Sequence, residues 1–342
     1  MTSCFLDAIQ GRNAGRPPIW LMRQAGRYLP EYQRIRAQHS FWDMCHNPEL
    51  IVEVTQLPLK RYALDAAVLF SDILFIPEVL GCGVSFIEGI GPVLEKKVTD
   101  RKEIETLAKP DVREVLSPVY TAIRALKQEL GVPLIGFCGG VYTVASYMIE
   151  GRSSRDLRNT KRWMYEDPEG FHQLLQLLTD LSIQHLKEQA KAGADVLQVF
   201  DSWAHTLPHR QFMEFSLPYM RQIVDAFRPS GIPILLFCRG SSSYYHELAS
   251  AQPAGISLDW NADLSKVRHE VGPDLVLQGN LDPQLLCFQP QAVQQEADAL
   301  LKQMHGDPAF IVNLGHGITP EARLDSVQAL VDVVHSYSPA TV

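Results

Sequence analysis

Short apolar runs bounded by turn residues punctuate the chain, and most lead into a stretch of helical periodicity. Candidate strands are PIWLM (18–22), AAVLF (66–70), PLIGF (133–137), DVLQVF (195–200), PILLF (233–237), GISLDW (255–260), LVLQGN (275–280) and FIVNLG (310–315), eight in all. These runs are apolar on both faces, the pattern of parallel strands covered on either side. Between them, Phe171, Leu174, Leu175, Leu178 and Leu181 mark one amphipathic helix, and Leu324, Val327, Leu330, Val331 and Val334 mark the last. Repeated βα units with eight such strands predict an α/β chain closed into a single (β/α)8 TIM-type barrel, in preference to an open doubly wound sheet. The helical stretch PELIVEVTQLPLKRYA contains Pro58, where a kink or break is expected. VSFIEG (84–89) and PVLEKKV (92–98) predict a small β-hairpin inserted outside the barrel.

In a barrel of this kind the chemistry sits at the C-terminal ends of the strands. The residues that follow the apolar runs are polar there: Arg23-Gln24, Ser71-Asp72, Asp201-Ser202, Cys238-Arg239 and His316. Such a mixture describes a mouth with arginines for carboxylates, acids, and hydroxyl or imidazole groups for orientation.

Composition narrows the classes. With 342 residues, 46% hydrophobic and 20% charged, and no linker-like stretch, the chain reads as one domain over 1–342. Its 31 basic against 39 acidic residues give a net charge of −8, which excludes a broad basic surface for nucleic acid. The imbalance is uneven: residues 1–36 hold six arginines (Arg12, Arg16, Arg23, Arg27, Arg34, Arg36) against Asp7 and Glu31, or +4, leaving −12 elsewhere. That segment suits an anionic small molecule, although a solvated arginine surface has the same spacing. The six cysteines show no CxxC pairing, so no disulfide framework or zinc knuckle is expected. His316, Cys138 and Cys238 lack a His-x-Cys spacing, and no metal is expected. Neither GxGxxG after the first strand nor a Walker GxxxxGK[ST] is present, so no dinucleotide or ATP cofactor is expected. The start MTSCFLDAIQGR lacks a secretory pattern and no run of 18 apolar residues occurs, so neither export nor a membrane is expected. A reducing cytoplasm fits; a plastid stroma after removal of a transit peptide fits equally.

The segment from Pro18 to Tyr32, PIWLMRQAGRYLPEY, is fifteen consecutive residues that resemble the N-terminal signature of uroporphyrinogen decarboxylases. LFSDIL (69–74), IGF (135–137), SYMIEG (146–151), VFDSWA (199–204), LDW (258–260), LQGNLDP (277–283) and NLGHG (313–317) are similar to later blocks of that family, in its order. The resemblance covers nearly the whole chain. It implies removal of the four acetate carboxyl groups of uroporphyrinogen III to give coproporphyrinogen III and CO2, without a cofactor, in a homodimer. By the same likeness Arg23, Gln24, Ala25, Gly26 and Arg27 contact substrate, with Arg23 and Arg27 on its carboxylates. Asp72 faces the pyrrole nitrogens, and Tyr147, Ser202 and His316 complete the site. Phe137 and Phe200 form apolar walls, although phenylalanines are as often core.

The implied chemistry uses the pyrrole as its own electron sink: protonation beside the acetate-bearing carbon gives a cationic ring that accepts the electron pair as CO2 departs. Asp72 suits the stabilising anion. The proton donor is open among Arg23, His316 and Tyr147. Two departures from the family pattern stand out. Residues 138–142 read Cys-Gly-Gly-Val-Tyr, so a loop of different shape is expected, and Arg239 followed by Ser241-Ser242-Ser243 replaces a lysine and a glycine-rich turn. The rival readings are a methyltransferase on the same barrel, which needs a His/Cys zinc site, and a non-catalytic tetrapyrrole carrier.

Overall fold

The computed structural model describes residues 3–87, 89–108 and 111–339. Glu88 of the predicted hairpin and the extreme ends of the predicted 1–342 domain lie outside the described residues. Among the described residues nine strands form, in chain order β1 (Ala67–Val68), β2 (Val84–Ile87), β3 (Gly91–Leu94), β4 (Leu134–Gly139), β5 (Val196–Asp201), β6 (Ile234–Cys238), β7 (Gly255–Ser257), β8 (Val276–Leu281) and β9 (Phe310–Leu314). Seven make one curled parallel sheet in the order β1-β4-β5-β6-β7-β8-β9. The eighth predicted strand, 18–22, joins by a single parallel bridge, Ile19 to Val312.

That bridge brings the two ends of the sheet together. On one side of the segment the Val312 N–H donates to Pro18 O at 2.9 Å; on the other, the Asp65 N–H donates to Ile19 O at 2.8 Å. The Asp65 carboxylate also accepts from the Ile19 N–H at 2.7 Å and takes both arms of the Arg16 guanidinium at 2.8 Å. A short parallel edge is therefore sealed by a bidentate ion pair where ladder bonds run out.

Side chains alternate between two separate cores. Trp20, Met22, Val68, Ile135, Phe137, Val196, Phe200, Leu235, Phe237, Val276 and Ile311 fill the barrel interior, and Phe5, Ala8 and Ile9 of the short helix Cys4–Ile9 plug its floor. The alternate residues, among them Leu134, Leu197, Val199, Leu236, Ile256 and Leu277, pack outward against the helices. Inside, Trp20 Nε1 donates to Gln278 Oε1 at 2.8 Å, and Gln278 and Gln198 both donate to Ser257 Oγ. The polar atoms of this layer satisfy one another, as buried groups must.

The predicted helices form as Pro168–Ala192 and Leu324–Ser336. Of the kink or break expected at Pro58, the break does not occur: the helix runs unbroken from Pro48 to Arg61. Pro58 lies in its last turn, where only one backbone bond is lost. The hairpin β2–β3 does form outside the barrel, with Phe86 packed on Phe41 at a ring separation of 4.4 Å.

Asp65→Asn should lower the unfolding free energy by about 2–4 kcal/mol, because Arg16 keeps its half-buried charge without a partner. Urea unfolding followed by circular dichroism checks this; a loss under about 1 kcal/mol would show that closure does not depend on the ion pair.

Candidate active site

Because β5 turns Val196, Gln198 and Phe200 inward, alternation places Ser202 next at the mouth. The same count on β6 puts Arg239 above Phe237. On β4 the next position after Phe137 is Gly139, where a Cβ would lie 2.6 Å from Val144 Cγ2 and 3.0 Å from Ile73. Gly140 is tighter still, with a Cβ only 2.4 Å from Asp201 Cβ. The Cys-Gly-Gly-Val-Tyr segment therefore brings the helix Val141–Glu150 directly onto the end of β5. Asp201, fully buried, fastens that junction by accepting from the Thr143 N–H at 3.0 Å and from Ser216 Oγ at 2.8 Å.

The first loop breaks the alternation. Arg23 has φ +63°, a left-handed conformation costing a residue with a Cβ about 1–2 kcal/mol. Its neighbours hold it there. Gln24 is fully buried, accepting from the Leu21 N–H at 3.0 Å and donating to Ala66 O at 3.2 Å. Asn313 Oδ1 takes the Met22 N–H at 2.9 Å, and the Ile318 N–H donates to Met22 O at 2.8 Å. Gly26 is needed because a Cβ would lie 2.8 Å from Arg23 O, and Gly317 because one would fall 2.3 Å from Arg23 Cδ. The guanidinium stem thus lies across the Gly317 backbone, beside His316.

The sequence-predicted residues separate at this point. Arg23 and Arg27 are exposed to the mouth, and no ion pair among the described residues engages either. Arg16, by contrast, is spent on Asp65, and Arg36 on His39 O. Gln24 turns its amide into the loop, so it positions Arg23 and does not line the mouth. Ala25 and Gly26 are half-buried beside it. Phe137 and Phe200 meet edge to face at 5.3 Å, as do Phe237 and His316 at 5.7 Å, and Phe200 and Phe237 are tilted against each other at 5.8 Å. These rings make an apolar floor under the polar rim, so core and wall are one surface here.

Electrostatics at the rim follow from burial. Desolvation lifts the Asp72 carboxyl to about 6, opposed by the Leu74 N–H bond at 2.8 Å and by Arg23. Burial lowers the Arg23 guanidinium, with Tyr147 and Asp72 pulling the other way. Tyr147, edge-on to Trp203 at 6.2 Å, is raised by desolvation and stays a phenol. His316 is driven down to about 3 by burial and by the nearby Arg23 and Arg239, so it is a neutral imidazole at ordinary pH. Arg23, Asp72, Tyr147 and His316 therefore form one electrostatic group, with Ser202 half-buried on the adjoining stave.

Three further residues reach the mouth. Trp203 meets Tyr147 edge-on and stacks on His205, His205 Nδ1 meets Ser202 O at 2.9 Å, and Arg239 acts on both His205 and His316. Arg239 was visible as the residue after an apolar strand; nothing in the sequence singled out His205. Cys138 and Cys238 are buried in β4 and β6, where desolvation pushes their thiols up, Cys138 to about 12. Among the described residues, no group of three or more His, Cys, Asp or Glu is arranged to hold a metal ion.

Residues 2–337 match the family model described as uroporphyrinogen decarboxylase. Among similar proteins, the uroporphyrinogen decarboxylase of Protochlamydia amoebophila is 52% identical over 96% of this chain and 90% of its own. That of Methylococcus capsulatus is 41% identical over 99% of each. Among solved structures, a methyltransferase from Methanosarcina mazei superposes with a TM-score of 0.83 at 21% identity, covering 98% of this chain and 99% of its own. At that identity the likeness is one of fold alone.

Folding raises the Asp72 pKa from 3.8 to about 6, so the folded chain binds this proton more tightly than the unfolded chain does. Ionised Asp72 therefore costs stability above pH 6, and the cost fades as pH falls towards 3.8. Asp72→Asn should stabilise the protein near neutral pH by about 1–3 kcal/mol, with the gain shrinking to nothing by about pH 4. Chemical unfolding at both pH values tests it; a pH-independent difference would refute the buried charge.

Proposed function

The chain belongs to the uroporphyrinogen decarboxylase family and is a carboxy-lyase acting on uroporphyrinogen, and on that premise we propose how its mouth divides the work. The observation that carries the reading is Arg23, in no ion pair among the described residues and with its stem against the Gly317 backbone, within electrostatic reach of a carboxyl, Asp72, whose pKa is raised to about 6. A net-negative chain that concentrates unpaired guanidinium at one apolar-floored mouth suits a substrate that is hydrophobic in body and anionic at its edge.

In this reading Arg27 and Arg23 hold side-chain carboxylates of uroporphyrinogen III. Asp72 accepts from the pyrrole N–H groups. Protonation of the ring carbon next to the acetate-bearing carbon makes the ring cationic; the C–C bond to the carboxylate breaks, its electron pair neutralises the ring, and CO2 leaves. The exocyclic methylene carbon then takes a proton to become a methyl group where the acetate was, and the ring carbon gives back the proton it first gained, which restores the neutral pyrrole. No cofactor is called for, since the substrate supplies the electron sink. Among the three candidate acids, Arg23, open to the mouth, and Tyr147, half-buried beside Trp203, are the two that the site leaves able to donate. The surroundings oppose His316, which burial and, after it, the nearby guanidiniums hold neutral and which then serves as an acceptor. Ser202 and Tyr147 orient the ring edge, and the Phe137–Phe200 pair supports its face.

Repetition at four acetates gives coproporphyrinogen III, a step in tetrapyrrole synthesis. The family resemblance also carries a homodimer and a cytoplasmic place. Among the described residues no helix is long and apolar enough to cross a membrane, and the relatives, being bacterial, lend no support to a plastid stroma. Anaerobic incubation with reduced uroporphyrinogen III, then oxidation and chromatographic counting of carboxyl groups, tests the reading; a product still carrying every carboxyl would end it.

Arg27→Ala should weaken substrate binding about 10- to 150-fold, the worth of one charge-assisted hydrogen bond, while the circular dichroism spectrum is unchanged. Unaltered affinity would remove Arg27 from the clamp.

Asp72→Asn should lower kcat about 10²- to 10³-fold, since it keeps the shape but loses the charge that stabilises the cationic ring. Asp72→Glu keeps the charge and moves it by a methylene, so it should retain more activity than asparagine if charge dominates. In the unsubstituted chain kcat/KM should fall on the acid side with an apparent pKa near 6, as Asp72 takes up its proton. An asparagine variant with full activity would take Asp72 out of the mechanism.

A further inference from the structure

The rim has a second cationic side that the chemistry above does not use. Around the ring, segment 18–22 and β6 are separated by three staves in either direction, β1, β4 and β5 one way and β9, β8 and β7 the other. Arg23 and Arg239 therefore rise from opposite staves. His316 feels both guanidiniums, and each lowers its affinity for a proton, so the two charges address the same space. Arg239 is exposed, and no ion pair among the described residues engages it.

The turn that carries it is tightly packed. Gly240 has φ +73°, and a Cβ there would lie 2.8 Å from His205 Cβ, so the turn after β6 sits directly on the turn after β5. His205 Nδ1 meets the Ser202 carbonyl at 2.9 Å; a carbonyl only accepts, so Nδ1 carries the hydrogen and Nε2 is a bare acceptor. Burial lowers the pKa of this imidazole, as it does that of His316. Neither ring then competes with Arg239 for an anion. Asp259, the acid on the next stave, is 1% exposed and accepts from the Asn261 N–H at 3.0 Å, and it makes no pair with Arg239. Lys161, which also acts on His205, adds positive charge on the same side.

We propose that Arg239 is a second carboxylate anchor, opposite Arg23, that holds a side-chain carboxylate of the macrocycle other than the one being lost. The proposal rests on the decarboxylase reading. A substrate that retains four carboxyl groups after losing four presents anions on every side of the ring. Gripped from one side it pivots; gripped from opposed staves it is fixed in the plane of the mouth. Because the anchored carboxylate does not change during reaction, Arg239 binds ground state and transition state alike, and its contribution belongs in KM.

Steady-state kinetics with reduced uroporphyrinogen III on the full chain, Arg239→Gln and Arg239→Lys test this. Arg239→Gln should raise KM about 10- to 150-fold with kcat within about threefold. Arg239→Lys should recover part of the loss, keeping the charge without the fork. Added salt should raise KM less steeply in the glutamine variant than in the unsubstituted chain. Arg239→Met, read the same way, replaces the glutamine variant should that one not melt like the parent. A KM within about twofold of the parent's, or an effect confined to kcat, overturns the anchor. The two readings fail separately: no turnover by the unsubstituted chain refutes the function, whereas normal turnover with an insensitive KM refutes only the anchor.

Discussion

Everything at the mouth depends on closing the ring between β9 and β1. The site draws residues from the first segment, β1, β5, β6 and β9, and these converge only if the sheet returns on itself. Closure is the weakest seam in hydrogen-bond terms, with one bridge at Ile19, and it is reinforced by Asp65, which binds the Ile19 N–H and the Arg16 guanidinium together. An ion pair of intermediate burial is an uncertain source of stability by itself, but here it also satisfies a backbone donor that the short edge leaves over. The same seam delivers Arg23 to the rim. Loosening it would therefore disturb the site before it unfolded the barrel.

The rim is assembled against its own stability. Arg23 adopts a left-handed backbone, Asp72 carries a carboxyl in a place that disfavours its charge, and the guanidiniums of Arg23 and Arg239 act on one imidazole, His316, with no ion pair among the described residues engaging either. Such strain persists only where surrounding structure over-determines it. The compensations are identifiable: the Gln24 amide bound inside the loop, Asn313 on Met22, and the bare backbone at Gly317 that gives the Arg23 stem room. A carboxylate-bearing substrate would relieve part of the remaining cost, which ties binding to the order of the loop.

Much of the scaffold was legible because parallel strands advertise themselves: all eight apolar runs correspond to staves, and counting to the end of each run located Asp72, Ser202, Arg239 and His316. What escaped had physical causes. GISLDW leaves the ladder at Asp259: the Leu258 N–H still reaches Gln278 O at 2.8 Å, but the Asp259 N–H turns to Ser241 Oγ at 3.0 Å. Pro58 looked like a break because sequence does not show that the helix ends three residues later. Arg23 and Gln24 are adjacent and polar, and only the positive φ decides that the arginine faces the mouth while the glutamine is buried. The 138–142 segment looked aberrant by composition, yet its two glycines are what the close packing against Asp201 and Val144 demands. His205 reaches the rim through a turn, where neither period applies.

A barrel shared with a methyltransferase at a TM-score of 0.83 shows how little the scaffold dictates chemistry. The difference must lie in what the strand ends carry. Here the thiols at 138 and 238 are buried within strands and pushed towards the protonated form, so the rim is left to guanidinium, carboxyl and neutral imidazole. A chain of net charge −8 would repel a polyanion at long range, so the arginines at the mouth that no ion pair among the described residues engages must supply the attraction at short range. Selectivity then follows from geometry: a small anion can satisfy one guanidinium, but only an anion wide enough to span the mouth can engage opposite staves at once. The apolar floor of Phe137, Phe200 and Phe237 adds the condition that the spanning body be hydrophobic, and together these requirements describe a macrocycle better than any single contact does.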